Sequence, residues 1–167
     1  MASFLKTRAE EEKEIHMPDP ASSLYDSDFY AWANEQVALL RAGKLAGADI
    51  AHIAEEIESM GRTEKRELVS RLTILLAHLL KWQFQAERRS RSWVATIRNQ
   101  RLDVADHLVD NPSLKARLPE SLAAAYERAK NSASAETDLP EPLFPLECPW
   151  SFEQIMDAEF WPDRPAR

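Results

Sequence analysis

"TEKRELVSRLTILLAHLLKWQFQ", residues 63–85, carries the strongest structural signal in the chain. Leu68, Leu72, Leu75, Leu79 and Trp82 recur at helical spacing and form one apolar stripe. Val69, Leu76 and Leu80 widen that stripe, and Ile74 lies on the far side. A helix so nearly apolar all round belongs at the centre of a fold, because water can cover little of it cheaply. The pattern predicts a helix from Thr63 to about Gln85. It breaks at "ERRSRS", residues 87–92, where six charged or hydroxyl side chains follow one another and leave no apolar face.

The segments around this helix carry the same period. Upstream, Phe29, Ala33, Val37 and Leu40 with Trp32 predict a helix starting at Asp26 or Asp28, either of which can accept a bond from a first-turn amide. Gly43 is its expected stop. Asp49 is the expected cap of a second helix, with Ile50, Ile53, Ala54 and Ile57 as its apolar face and Gly61 as its end. Downstream, Ser90 or Ser92 caps a helix that carries Trp93, Ile97, Val104 and Leu108 on one side. Asn111-Pro112 and Leu118-Pro119 each restart the chain, since proline suits a first helical turn. The second restart opens a helix with Leu122, Tyr126 and Ala129 facing inward. Residues 140–167 hold six of the ten prolines, so "LPEPLFPLECPW" is neither regular helix nor central strand. Ser151 and Gln154 form a capping box for a last helix, Phe152 to Ala158.

No strand-like alternation is present. The expected class is all-α: a single-domain helical bundle of five to six helices with a proline-rich, aromatic C-terminal wrap. A mobile acidic leader is expected over 1–23. The domain then covers 24–162, as a bundle over 24–136 and a wrap with its short helix over 137–162, and 163–167 is a tail. The wrap holds Leu143, Phe144, Leu146, Trp150, Phe152, Ile155, Phe160 and Trp161, too apolar a set for a free end. It is therefore expected to close on its own bundle.

Composition excludes several functions. With only three glycines among 167 residues, no phosphate-cradling glycine loop exists. The single Cys148 rules out an intrachain disulfide and any paired-cysteine metal motif, and favours a reducing compartment. No apolar run nears the ~20 residues that span a bilayer, and the first residues lack the apolar core of a signal peptide. A cytoplasmic protein without membrane contact is expected. The net charge of −7 hides an asymmetry, because residues 62–101 carry +7 and the remainder −14.

With these landmarks placed, "YDSDFYAWANEQVALLRAGKLAGADIAHIAEEIESMGR" and "LLAHLLKWQFQAERRSRSWVATIRNQR" resemble the bacterial family called domain of unknown function twenty-nine. "SLKARLPESLAAAYERAK" and "FPLECPWSFEQIMDAEFWP" resemble it too, so the likeness covers about residues 24–162. The resemblance implies an all-helical fold and no established activity, and it carries no catalytic residue across. Ala86 stands where relatives often have proline.

Three groups of side chains are candidate sites. Arg88, Arg89, Arg91, Arg98 and Arg101, with Trp93 among them, combine cations and an aromatic as a nucleic-acid or anion site does. The acidic net charge opposes long-range attraction to phosphate, so nucleic acid is the disfavoured ligand. The plainer expectation pairs the strip with acidic neighbours inside the molecule, and Arg101, near the apolar face of its helix, calls for a carboxylate. His52, Glu55 and Glu56 share one region of a helix, a pattern able to hold a divalent metal, although no second such pair exists. His78 and Lys81, one turn apart, form a possible polar site. Cys148, beside Glu147, is read as a small apolar contact. No cofactor is expected, and no nucleophile signature is present. The leading expectation is a small interaction or adaptor protein with an unnamed protein partner and no catalysis. The alternatives are nucleic-acid or anion binding through the arginine strip, and a metal-dependent enzyme.

Overall fold

The computed structural model describes residues 20–163, with side chains from Leu24 onward. The chain is all-α, and among the described residues six α-helices and no strands occur. They are α1 (Pro20–Ser27), α2 (Phe29–Arg41), α3 (Ile50–Phe84), α4 (Arg91–Asp110), α5 (Leu118–Thr137) and α6 (Phe152–Met156). Contacts divide the chain into two compact units, the first closing at Glu58 and the second opening at Ser59.

In the first unit the capping expectations hold. Asp28 caps α2 by accepting from the Ala31 amide, and Asp49 caps α3 by accepting from the His52 amide at 3.3 Å. Gly43 adopts φ +69° just after α2, a conformation open to glycine because it lacks a Cβ. The packing differs from expectation. Trp32 and Gln36 are the buried residues of α2, while Phe29, Val37 and Leu40 are exposed. Of the apolar face expected of α3's first turns, Ile50, Ala54 and Ile57 are exposed and Ile53 is half-buried. Most of the expected leader, residues 1–19, lies outside the described residues, and the part from Pro20 is already helical as α1.

Gly61 does not end a helix. α3 runs unbroken from Ile50 to Phe84, merging two predicted helices into one. An interior glycine costs a helix only about 1 kcal/mol, and no proline or left-handed residue follows to stop it here. Thr63, the expected start of the central helix, lies inside α3 and donates its hydroxyl back to the Ser59 carbonyl at 2.9 Å, as helical threonines do.

The core of the second unit is the leucine stripe. Leu68, Leu72, Leu75, Leu76, Leu79 and Leu80 are all fully buried, and Ile74 is exposed, as predicted. α4 contributes Ile97, Val104 and Leu108, and α5 contributes Ala125, Tyr126, Ala129 and Ala133. α4 is capped by Ser90. α5 has its proline in the first turn and ends on Asp138 in the left-handed conformation. The alanines of α5 keep its inner face low, and large side chains from outside the helix fill the space above it.

Those side chains come from the C-terminal wrap, which closes on its own unit. Phe144, Trp150 and Ile155 are buried in the core. Trp161 meets Trp82 with ring centroids 4.6 Å apart, and Phe144 meets Phe84 edge-on at 5.2 Å. The Tyr126 hydroxyl donates to the Pro145 carbonyl at 2.9 Å. Ser151 and Gln154 form the predicted capping box, though α6 stops at Met156, short of Ala158.

Arg101 fastens the end of the wrap. Its guanidinium, 5% exposed as a residue, donates to the carbonyls of Ile155 (2.8 Å), Ala158 (3.3 Å) and Phe160 (2.6 Å). It also lies over the Trp161 ring, 5.4 Å from the centroid. The expected carboxylate is replaced by three backbone oxygens. Burial lowers the Arg101 pKa, with the charge of Asp157 acting in the other direction. Each hydrogen bond from a charged group contributes about 1.5–3 kcal/mol. Arg101→Ala should therefore lower unfolding stability by about 3 kcal/mol, given that such contributions do not add fully. It should also release residues 155–163 to protease. Denaturant unfolding and limited proteolysis measure both, and unchanged values would show that the aromatic contacts hold the wrap alone. Arg101→Lys should recover only part of the loss, because one ammonium cannot fork across three acceptors.

Candidate functional site

The arginine strip is not one site. Arg101 is buried under the wrap as described. Arg89 bends back onto α3, donating from Nε to the Trp82 carbonyl at 2.9 Å and lying 4.7 Å from the Trp82 ring centroid. Arg88, Arg91 and Arg98 are exposed. Trp93 is half-buried and its ring faces Lys81, so it does not serve as an open stacking platform. Other cations of the basic segment are paired internally with carboxylates. Arg71 reaches Glu67 and Asp103, Lys65 reaches Glu120, and Lys81 reaches Glu136.

His78 and Lys81 do come together, and Glu136 joins them from α5. Lys81, 3% exposed, places Nζ 2.5 Å from the Glu136 carboxylate, 3.3 Å from His78 Nε2 and 4.9 Å from the Trp93 centroid. His78 Nδ1 sits 2.9 Å from the Ile74 carbonyl, which can only accept. Nδ1 therefore carries the proton, and in the neutral ring Nε2 accepts from Lys81. All three directions of the Lys81 ammonium thus meet an acceptor or a ring face. Glu136 was missed in the sequence, because it lies 55 positions from Lys81 and nothing local connects them.

The first unit assembles a different polar cluster around Asp49. Its carboxylate accepts from Trp32 Nε1 at 3.3 Å and contacts His52 Nδ1 at 2.7 Å, while its amide donates to Gln36 at 2.8 Å. Burial works to raise the Asp49 pKa, but the bonds from His52 and Trp32 outweigh it and hold the group below the usual carboxylate value. The Tyr25 ring stacks on His52 at 4.1 Å and its hydroxyl donates to Glu56 at 2.5 Å. That bond, helped by nearby carboxylates, pushes the Tyr25 pKa up to about 12. His52 and Glu56 are thus committed to Asp49 and Tyr25 rather than converging with Glu55. Among the described residues no group of three His, Cys, Asp or Glu side chains is placed to hold a metal ion.

Cys148 is half-buried, and burial raises its thiol pKa. Its sulfur contacts the Trp150 carbonyl at 3.5 Å, which suits a packed thiol and not a nucleophile. Sequence reasoning also missed a cleft between α3 and α5 lined by Arg62, Lys65, Arg66, Glu120, Ser121 and Arg128. The spacing 62, 65, 66 on one helix face is visible in the sequence, but its meeting with Arg128 is not.

With this geometry in hand, comparison with known proteins gives one match. Residues 24–161 match the family described as domain of unknown function DUF29. The chain belongs to that family. No curated protein and no solved structure matches. For this DUF29 chain the side chains themselves carry any functional reading. Among the described residues no helix is long and apolar enough to cross a membrane.

The His78 geometry has a consequence for pH. Burial lowers its pKa below the ordinary 6.5, and the adjacent Lys81 charge adds to this; the Ile74 carbonyl and Glu136 oppose without prevailing. The folded state thus resists protonation more than the unfolded chain does. Its stabilising contribution is full above pH ~6.5 and declines as pH falls below the unfolded value toward the lower folded pKa. An NMR titration should place the His78 ring below 6.5, and a His78→Gln variant should lose less stability than wild type between pH 7 and 5. A ring pKa at or above 6.5 would contradict this account.

Proposed function

We propose that this DUF29 chain is a small cytoplasmic interaction protein without catalysis of its own, using the outward apolar face of its first unit. The observation that carries the reading is the inversion found there. Tyr30, Val37, Leu40, Leu45, Ile50 and Ile57 are all exposed, Tyr30 at 79% and Ile57 at 63%. Tyr30, Val37 and Leu40 on α2, and Ile50 and Ile57 on α3, keep helical spacing of the kind that faces made for burial have, with Leu45 in the turn between the helices, yet Trp32 and Gln36 are what α2 buries. Grouped exposed apolar side chains favour a protein partner, and an amphipathic helix is the partner such a surface suits. The clustered titratable groups support the absence of catalysis, since Lys81, His78, Asp49 and His52 are engaged with one another or with neighbouring acceptors. The one free thiol suits a reducing cytoplasm, and the family resemblance supports reading the protein as bacterial.

A second reading has its own support. Arg88, Arg91 and Arg98 are exposed and make no ion pair among the described residues, which favours anion or nucleic-acid binding there. Photo-crosslinking side chains placed singly at Tyr30, Ile57, Arg88 and Arg91 separate the two. Adducts to one protein from the first two positions, lost in Leu45→Glu with stability changed by less than about 0.5 kcal/mol, are the expected outcome. Adducts to nucleic acid from the last two, abolished by raised salt, would establish the second reading.

A further inference from the structure

The cleft between α3 and α5 combines features that the interaction reading does not use. We propose that it is a binding site for a small organic phosphate. Arg62, Lys65, Arg66 and Val69 lie on one face of α3, and Ser121 and Arg128 face them from α5, around a cavity of about 320 Å³. Four cations thus surround a space with a single carboxylate on its wall, Glu120, in a chain whose net charge is −7. Arg66 and Arg128 are exposed and make no ion pair among the described residues.

Ser121 supplies the independent observation. It is fully buried, it lines the cleft, and its hydroxyl has no hydrogen-bond partner. A helical serine commonly returns its proton to the carbonyl four residues back, and buried hydroxyls are almost always partnered. A hydroxyl held without a partner beside several cations is a donor waiting for an oxyanion. Glu120 marks where that oxyanion's charge would lie. It is bound to Lys65 at 2.7 Å, which lowers its pKa, yet its side chain is 60% exposed and free to swing out. The resident carboxylate is therefore a stand-in that a ligand with more charge can displace.

Size and wall chemistry refine the ligand class. The cavity lies at the lower end of small-molecule sites, roughly 300–1,000 Å³, larger than phosphate alone requires. Val69, Ala124 and the aliphatic stems of the cations give the ligand's carbon part an apolar seat. Phosphate, with two negative charges and several acceptor oxygens, matches forked guanidinium groups better than a single carboxylate does.

Calorimetry and NMR shift mapping on the full chain, at low salt, test the site with phenyl phosphate, inorganic phosphate and benzyl alcohol. Phenyl phosphate should bind about tenfold more tightly than inorganic phosphate, and benzyl alcohol should not bind, because charge and apolar contact are both required. An Arg66→Ala/Arg128→Ala variant should lose about tenfold or more in affinity, and Ser121→Ala about fivefold, in line with charge-assisted and neutral hydrogen bonds. Glu120→Gln should bind about fivefold more tightly, because it removes the competing charge from Lys65. Failure of phenyl phosphate to bind at about ten times the millimolar range of weak anion contacts would overturn the proposal. So would binding that these variants leave unchanged, since that would be diffuse surface attraction. Glu120→Gln is a surface change, so its result stands even if a cleft variant folds poorly.

Discussion

The Arg101 guanidinium is the interaction on which the second unit's construction turns. α6 ends at Met156, and the described residues beyond it, 157–163, form no helix. Carbonyls at the end of a helix and in the coil after it have no intrahelical partner. Those of Ile155, Ala158 and Phe160 are such groups, and Arg101 meets all three. One side chain on α4 thus replaces the hydrogen-bond ladder that the wrap lacks. A guanidinium suits this role because it is planar, carries five donors and stays charged at any physiological pH. The cost of burying its charge is offset only while the three oxygens stay in place, so the helix and the wrap order one another.

The same contact explains how a basic strip exists in an acidic chain. The acids of the C-terminal segment do not neutralise it by direct pairing. Carbonyl dipoles satisfy Arg101, a carbonyl and an indole ring satisfy Arg89, and the carboxylates instead meet Lys65, Arg71 and Lys81 along α3. These pairs differ in weight. Lys65–Glu120 is solvent-exposed, so water screens it and it contributes little. Lys81 is buried, so its carboxylate and imidazole partners are required to hold its charge there at all. The exposed pair is free to exchange partners, and the buried one is not.

The parts legible in the sequence were those set by local geometry. The stripe from Leu68 to Leu80, the Ser90 and Asp49 caps, the proline at the start of α5 and the Ser151/Gln154 box all depend on residues a few positions apart, and spacing records them directly. Gly61 misled because a glycine alone does not stop a helix, and the bonds on either side outweigh its small cost. Phe29, Val37 and Leu40 misled for another reason: periodicity tells which residues share a face, but not which face turns inward. Arg101 was visible on an apolar face, yet its partners were not, because a backbone oxygen has no letter of its own. Glu136 and Arg128 were hidden by distance along the chain.

The two units thus solve the same problem in opposite ways. The second buries its aliphatic residues and spends its polar contacts on fastening a wrap over them. The first is organised by Asp49, which ties Trp32, Gln36 and His52 together while Tyr25 stacks on the imidazole. A cluster of bonded aromatic and polar groups can be small and still specific, because each bond fixes direction as well as distance. It needs few aliphatic side chains, and so leaves Leu40, Ile50 and Ile57 facing out. Stability alone does not favour that arrangement, since turning Ile50 and Ile57 inward would remove more apolar area from water. Bond directionality in the Asp49 cluster thus takes precedence there over the burial of apolar area.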